Sequence, residues 1–87
     1  MNADTLKDIT FQQMEILIAL VEAGTFTRAA GKLFLSQPSL TKQIQNLETA
    51  AGTRFVNRGS GGISLTPEGR ILYDYAKRIL RLREDAK

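Results

Sequence analysis

Cysteine and histidine are both missing from this chain of 87 residues. Their absence excludes disulfides, thiolate nucleophiles and nearly every zinc site, and it removes the most common general base of enzymes. An enzyme would have to rely on carboxylates or lysines, and the acids Glu15, Glu22, Glu48 and Glu68 form no evident cluster. We therefore expect a protein without catalytic activity, metal ion or cofactor.

Long apolar runs are missing as well. No stretch of the sequence approaches the roughly 18 apolar residues that a membrane span needs. The first five residues also lack the basic start and the apolar run of a secretory signal. We therefore expect no membrane partner and, because the lack of cysteine is compatible with a reducing compartment, a cytoplasmic location.

Positive charge is concentrated in the middle of the chain. The formal net charge is +3. Residues 24–62 carry five basic residues against the single acid Glu48, whereas residues 1–23 carry one lysine against four acids. A polyanionic partner would therefore bind at the middle segment, although on charge alone a solvated basic surface is the alternative.

Capping residues and apolar spacing predict two helices in the first half. Thr10 with Gln13 forms a capping box for a first helix that ends at Gly24, after a loose lead-in up to Ile9. Thr25 caps a short second helix from Phe26 to about Leu33. The residues expected to face the core are Phe11, Met14, Leu17, Ile18 and Val21 in the first helix, and Phe26, Ala29, Ala30 and Leu33 in the second.

A third helix is predicted from about Ser36 to Ala50. Ser36 is a strong N-cap, and Pro38 occupies the first turn, where its missing N–H breaks no helical bond. Leu40, Ile44 and Leu47 lie on one narrow stripe that must face the core. The opposite side therefore presents small, amide-bearing and singly basic side chains.

The remaining residues predict a hairpin and a long helix. Phe55-Val56 and Ile63-Ser64-Leu65 are brief apolar stretches separated by a glycine-rich segment. Thr66, Pro67 and Glu68 then supply a hydroxyl cap, a proline at the first helical position and an acid near the positive helix end. A last helix is expected from Pro67 to roughly Asp85.

This order of elements predicts a mainly α winged helix-turn-helix fold: a three-helix core, a two-stranded β wing and a long C-terminal helix. We divide the chain into a winged helix-turn-helix domain, residues 1–65, and a linker helix, residues 66–87. Amides, hydroxyls and a lysine on the third helix suit the base edges of a DNA major groove. The alternatives are an ordinary polar surface or a surface that contacts protein, but a protein interface favours aromatic and arginine anchors, which this face lacks.

Backbone contacts to DNA are expected beside this face. Thr27 and Arg28 stand at the start of the second helix, where free N–H groups and the helix dipole attract phosphate. Thr25 and Ser36 have hydroxyls at helix starts too, but capping alone explains them equally well. Arg58, at the base of the wing, could contact phosphate or the minor groove, or could pair with Glu48 or Glu68.

The sequence also resembles a known family. The strings Phe26-Thr27-Arg28-Ala29-Ala30, Leu35-Ser36-Gln37-Pro38-Ser39-Leu40-Thr41-Lys42 and Leu65-Thr66-Pro67-Glu68-Gly69 are similar to the DNA-binding end of LysR-type bacterial transcription regulators. The resemblance implies sequence-specific binding of double-stranded DNA as a dimer on a two-fold-related site. It also implies a larger C-terminal effector-binding region, which is not in this sequence, and higher oligomers in a full-length protein.

From the residues and the resemblance together, the candidate DNA contacts are Thr27, Arg28, Ser36, Gln37, Pro38, Ser39, Thr41, Lys42, Gln45 and Arg58. One departure concerns the wing tip, where many family members carry a basic residue that enters the minor groove. This sequence has Ser60-Gly61-Gly62 there.

The last helix carries more apolar residues than one packed stripe requires. Several recur at 3-4-3 spacing, and others widen the apolar surface. The expected dimerisation residues are Leu72, Tyr75, Ala76, Ile79, Leu80 and Leu82. Packing within a single subunit is the alternative for the whole set.

Overall fold

The computed structural model describes residues 8–59 and 62–87. Its elements in chain order are α1 (Phe11–Ala23), α2 (Phe26–Leu33), α3 (Gln37–Ala51), β1 (Val56–Gly59), β2 (Gly62–Leu65) and α4 (Pro67–Asp85). This architecture confirms the predicted mainly α winged helix-turn-helix fold. The expected wing tip at Ser60-Gly61 and most of the expected lead-in, residues 1–7, lie outside the described residues.

Each of the four helices within the described residues begins at a hydroxyl residue. The side-chain oxygen accepts a hydrogen bond from the backbone N–H three residues later, which satisfies one of the free N–H groups at a helix start. The pairs are Thr10 with Gln13, Thr25 with Arg28, Ser36 with Ser39 and Thr66 with Gly69. The Gln13 side chain also accepts from the Thr10 N–H, so the predicted capping box is confirmed.

Left-handed residues end the first three helices. Gly24 and Gly52 follow α1 and α3 with φ of 85° and 71°. The residue after α2 is Phe34, whose φ of 57° is uncommon for a residue with a side chain and whose side chain is 94% exposed. The Leu35 N–H then donates to the Ala30 carbonyl, and the chain turns sharply into α3. This turn gives the α2–α3 pair its helix-turn-helix geometry.

The core lies between α1 and the other helices, and it agrees only in part with the sequence-based expectation. Met14 and Leu17 of α1 are buried as predicted, but Phe11 is 48% exposed, and Ile18 and Val21 are only partly buried. Further buried α1 positions that the predicted stripe omitted are Ile16, Leu20 and Ala23. Because α1 contacts α2, α3 and α4, it buries more than one side, and a single amphipathic stripe could not describe it.

Residues of α2 and the lead-in complete this core. Phe26, Ala29 and Ala30 are buried, whereas Leu33 is only partly so. Ile9 is 7% exposed. The expected loose lead-in is therefore wrong at its last residue, because Ile9 packs with the core.

Helix α4 packs on the body of the domain through Gly69, Leu72 and Ala76, which are all buried. Leu72 and Ala76 are 0% exposed. Their assignment to a dimer interface is therefore wrong for this fold, since side chains that fill the subunit's own core cannot contact a partner. Ile79 and Leu80 are half-buried, whereas Tyr75 and Leu82 are exposed.

An ion pair ties the far end of α4 to α1. The Arg83 Nη2 lies 2.8 Å from the Glu15 Oε1, and the Arg83 guanidinium stands 5.2 Å from the centre of the Phe11 ring. Near its start, α4 approaches the residue before β1 so closely that a side chain at Gly69 would overlap the Phe55 carbonyl. Contacts at both ends therefore fix the direction of α4.

Residues 8–59 and 62–87 contain neither a membrane-spanning helix nor a cluster of metal ligands. No helix there combines the length and apolar character that would carry it through a bilayer. No three acidic side chains in the same ranges converge on a point where they could hold a metal ion.

We predict that Gly69→Ala lowers the free energy of unfolding by about 1–3 kcal/mol, because the new methyl group would overlap the Phe55 carbonyl. Gly31→Ala is the matched control. A methyl group at Gly31 would meet nothing within 4 Å, and alanine favours a helix over glycine by about 0.5–1 kcal/mol. Urea denaturation followed by circular dichroism measures both, and equal midpoints for the two variants would contradict the close approach.

Candidate nucleic-acid interface

The side of α3 opposite its buried stripe faces solvent. Leu40, Ile44 and Leu47 are buried as predicted. The residues on the other side or at the N-terminal end are exposed, except that Thr41 is half-buried. We call this set the polar face of α3: Gln37, Pro38, Ser39, Thr41, Lys42 and Gln45. Its side chains can therefore reach a ligand without any rearrangement of the fold.

Two serines at the start of α3 bond to each other. The Ser36 Oγ accepts from the Ser39 N–H at 3.1 Å and donates to the Ser39 Oγ at 2.9 Å. The proton and one lone pair of the Ser36 hydroxyl are thus used within the helix cap. Ser36 therefore caps the helix, and its direct contact with DNA stays a prediction, while the proton of the Ser39 hydroxyl remains available to a ligand.

Helix α2 presents its N-terminal end next to the polar face. Thr25 caps the helix, and its Oγ1 accepts from the Arg28 N–H at 3.1 Å. The side chains of Thr27 and Arg28 are exposed. A helix start with exposed hydroxyl and guanidinium groups can contact an anion that lies across both helices.

The wing is an antiparallel pair in which Val56 lies opposite Leu65 and Arg58 opposite Ile63. Its second strand is attached to the α1–α2 turn, where the Ile63 N–H donates to the Gly24 carbonyl at 3.1 Å. The neighbouring Gly62 has φ of 123°, and a side chain there would come within 2.7 Å of the same carbonyl oxygen. Only glycine fits that position without displacing the turn.

Glu48 attaches the first strand of the wing to α3. One carboxylate oxygen, Oε2, accepts from the N–H of Phe55 at 2.8 Å and from the N–H of Val56 at 3.2 Å. From the sequence, Glu48 is one of several scattered acids and a possible partner for Arg58, and its bonds to the wing are not predicted. Its position gave a signal, because an acid near the C-terminal end of a helix opposes the helix dipole and therefore needs local donors.

Arg58 leaves the wing towards α3 and α2 rather than towards Glu48 or Glu68. Its Nη2 donates to the Thr41 Oγ1 at 2.6 Å. Its guanidinium carbon stands 3.6 Å from the centre of the Phe26 ring, which is the geometry of a cation–π contact. Phe26 was expected to be a core residue only, so its second role as a platform for arginine is new.

Charge on this side of the domain is positive. Arg28, Lys42, Arg54 and Arg58 are all exposed. Between residues 24 and 62 Glu48 is the single acid, and its carboxylate accepts from backbone N–H groups. The surface formed by α2, the polar face of α3 and β1 therefore suits a long polyanion better than a small neutral ligand.

The model of the bacterial regulatory helix-turn-helix proteins of the LysR family matches residues 11–70. The chain belongs to the LysR family. The match covers all of α1, α2, α3 and the wing and reaches the start of α4.

Two similar proteins are named as transcription regulators. A probable RuBisCO transcriptional regulator of Trieres chinensis is 46% identical over 88% of this LysR-type chain. The transcriptional regulator BenM of Acinetobacter baylyi is 44% identical over 79% of it. The chain spans about a quarter of the length of these relatives, 25% and 23% respectively.

Solved structures of the same fold include DNA complexes. The DNA-binding domain of CbnR in complex with DNA superposes with a TM-score of 0.83 at 38% identity, covering 90% of both chains. The BenM DNA-binding domain on benA site 1 DNA gives a TM-score of 0.84 at 38% identity, with 90% of this chain and 91% of that chain covered. The fold of this chain is therefore that of LysR winged-helix DNA-binding domains.

We predict that Glu48→Ala lowers the free energy of unfolding by about 1–3 kcal/mol, because the buried N–H groups of Phe55 and Val56 would lose their acceptor. Glu48→Gln keeps one carbonyl oxygen and should lose less. Glu22→Ala removes an exposed acid of α1 and should change stability by no more than about 0.5 kcal/mol. Chemical denaturation of the three variants tests this order, and a Glu48→Ala variant as stable as Glu22→Ala would contradict it.

Proposed function

We propose that this LysR-type domain binds double-stranded DNA sequence-specifically, with α3 in the major groove, as the DNA-binding part of a transcription regulator. The observation that carries the proposal is the division of α3 into a buried stripe and an exposed polar face. Amide, hydroxyl and ammonium groups on that face match the donors and acceptors of base edges in the major groove.

The proposed contacts fall into two groups. Gln37, Pro38, Ser39, Thr41, Lys42 and Gln45 would contact bases and the adjoining backbone. Thr27 and Arg28 at the start of α2 would contact phosphates, and these contacts would set the register of the domain on the duplex. Arg58 would act at the side of the groove, and Ser36 would serve as the cap that presents the first turn of α3.

The proposed role of the domain is regulatory, and its proposed location is the cytoplasm. We infer a regulator rather than an enzyme, because the family consists of regulatory proteins. The exposed amide, hydroxyl and basic groups of the interface also suit contacts with DNA. Access to chromosomal DNA requires a cytoplasmic location in a bacterium. No cofactor or metal takes part in the proposed contacts.

We further propose a homodimer through α4. Tyr75 and Leu82 lie on one side of the helix, 46% and 67% exposed, and Ile71 joins them at 48%. At 100° per residue these three form a stripe beside the buried one of Leu72 and Ala76, with half-buried Ile79 between the two. Pairing two such helices would remove this apolar stripe from water and place two α3 helices on a two-fold-related site.

DNA reading predicts different effects for different residues. Thr41→Ala or Lys42→Ala should change base preference, with a loss of discrimination of about 1–3 kcal/mol at the affected position. Thr27→Ala should weaken all duplexes alike, because a phosphate contact carries no base information. Selection from a random duplex library, followed by binding titrations at several salt concentrations, measures both effects, and affinity should fall steeply with salt.

Lys77→Ala is the matched control for Lys42→Ala, since it removes the same charge from an exposed position of α4. It should leave base preference unchanged. A selection that yields no preferred sequence for the unmodified domain would overturn the proposed function. Unchanged preference in Thr41→Ala and Lys42→Ala would show that the polar face of α3 is not the reading surface.

The dimer proposal predicts that Tyr75→Ser with Leu82→Ser raises the dimer dissociation constant about tenfold or more, because less apolar area would be buried between subunits. Sedimentation equilibrium measures the constant. Lys77→Ser, on the other side of α4, is the control and should leave the constant unchanged. If the variant Tyr75→Ser with Leu82→Ser dimerises as tightly as Lys77→Ser, the interface lies elsewhere. If the unmodified chain is monomeric, the dimer proposal is wrong.

A further inference from the structure

We propose that Arg58 is a positioning residue that sets the hydrogen-bonding direction of Thr41, so that Thr41 selects base-edge acceptors over base-edge donors. The acceptors in question are guanine O6 and N7, adenine N7 and thymine O4. The inference rests on the proposed function, because it requires that Thr41 lies against base pairs.

The hydrogen bond between the two side chains has only one possible direction. A guanidinium has N–H donors and no acceptor, whereas a hydroxyl has one proton and two lone pairs. The Arg58 Nη2 therefore donates to the Thr41 Oγ1 across 2.6 Å. One lone pair of Thr41 is used by this bond, while the hydroxyl proton remains for another partner.

Without the contact to Arg58, the Thr41 hydroxyl would bind donors and acceptors on base edges equally well. A threonine within a helix can donate to the carbonyl four residues earlier, which would then present its lone pairs outward. A hydroxyl that can turn either way accepts from an amino group as readily as it donates to a carbonyl oxygen. The cation beside the Thr41 oxygen removes this symmetry, because it repels a second donor and favours an electron-rich base edge.

Arg58 itself is held in place from two sides. Its guanidinium lies against the ring of Phe26, 3.6 Å from the ring centre, and Phe26 is only 9% exposed. Its backbone belongs to β1, which Glu48 fastens to α3 through the N–H groups at the start of the strand. The arginine thus contacts α2, α3 and the wing before any DNA binds. Because its side chain is already ordered, DNA binding would cost little further rotamer entropy at this residue.

The test compares base preference in the full chain and four variants: Thr41→Val, Arg58→Met, Arg58→Lys and the double variant Thr41→Val with Arg58→Met. Random duplex selection first locates the position at which Thr41→Val changes the preference. At that position Arg58→Met should reduce the preference for an acceptor about fivefold to tenfold, the size of one lost contact to a base. The double variant should show no further loss there, because the two side chains act through one contact.

Arg58→Lys separates charge from geometry. Lysine keeps the positive charge but lacks the planar, forked guanidinium that stacks on Phe26. Its preference at the Thr41 position should lie between that of Arg58→Met and that of the unmodified chain. Lys32→Met is the control for charge loss, since Lys32 is an exposed basic residue in the last turn of α2; it should lower affinity for all duplexes to a similar degree.

Three results have distinct meanings. If Arg58→Met weakens every duplex evenly and leaves base preference intact, Arg58 is a phosphate contact and the inference is wrong. The inference is also wrong if Arg58 variants shift preference at a position that Thr41→Val leaves unchanged, since Arg58 then reads a base itself. If the unmodified chain selects no sequence, the proposed function fails first. Thermal unfolding checks that each variant is folded. If Arg58→Met is unfolded, Arg58→Lys is used for the test instead.

Discussion

Leu40, Ile44 and Leu47 attach α3 to the core along one stripe, and they are 0%, 4% and 1% exposed. Burial of such side chains contributes about 1.5–3 kcal/mol each, so the rotation of α3 about its own axis is firmly set. The polar face is exposed because the opposite stripe is buried. Every proposed contact with a base therefore depends on this apolar packing and not on the polar residues themselves.

The same helix also positions the wing. Thr41 and Glu48 are seven residues apart and so lie on the same flank of α3, between its buried and its exposed sides. Glu48 binds two backbone N–H groups at the start of β1, and Thr41 accepts from Arg58 farther along the strand. A single helix thus organises both the surface that we propose enters a groove and the ribbon beside it.

Local signals in the sequence predicted local structure well. Hydroxyl caps placed the start of each helix, and α2 and α4 have the predicted bounds of Phe26–Leu33 and Pro67–Asp85. Features that depend on tertiary contacts were predicted less well. The apolar surface of α4 was recognised, but which of its residues pack inside the subunit, such as Leu72 and Ala76, depends on how α4 lies against α1. The Phe26–Arg58–Thr41 contact joins three elements distant in sequence, and no spacing rule connects them.

The ion pair between Arg83 and Glu15 has a consequence for any two-fold assembly of this domain. It joins the end of α4 to α1, and α1 in turn packs against α3. In a symmetric pair, each α4 would hold its own α3 at a fixed distance from the two-fold axis. The separation of the two α3 helices would then be a property of the folded chain, and operators would be sorted by the helical phase of their half-sites as well as by their bases.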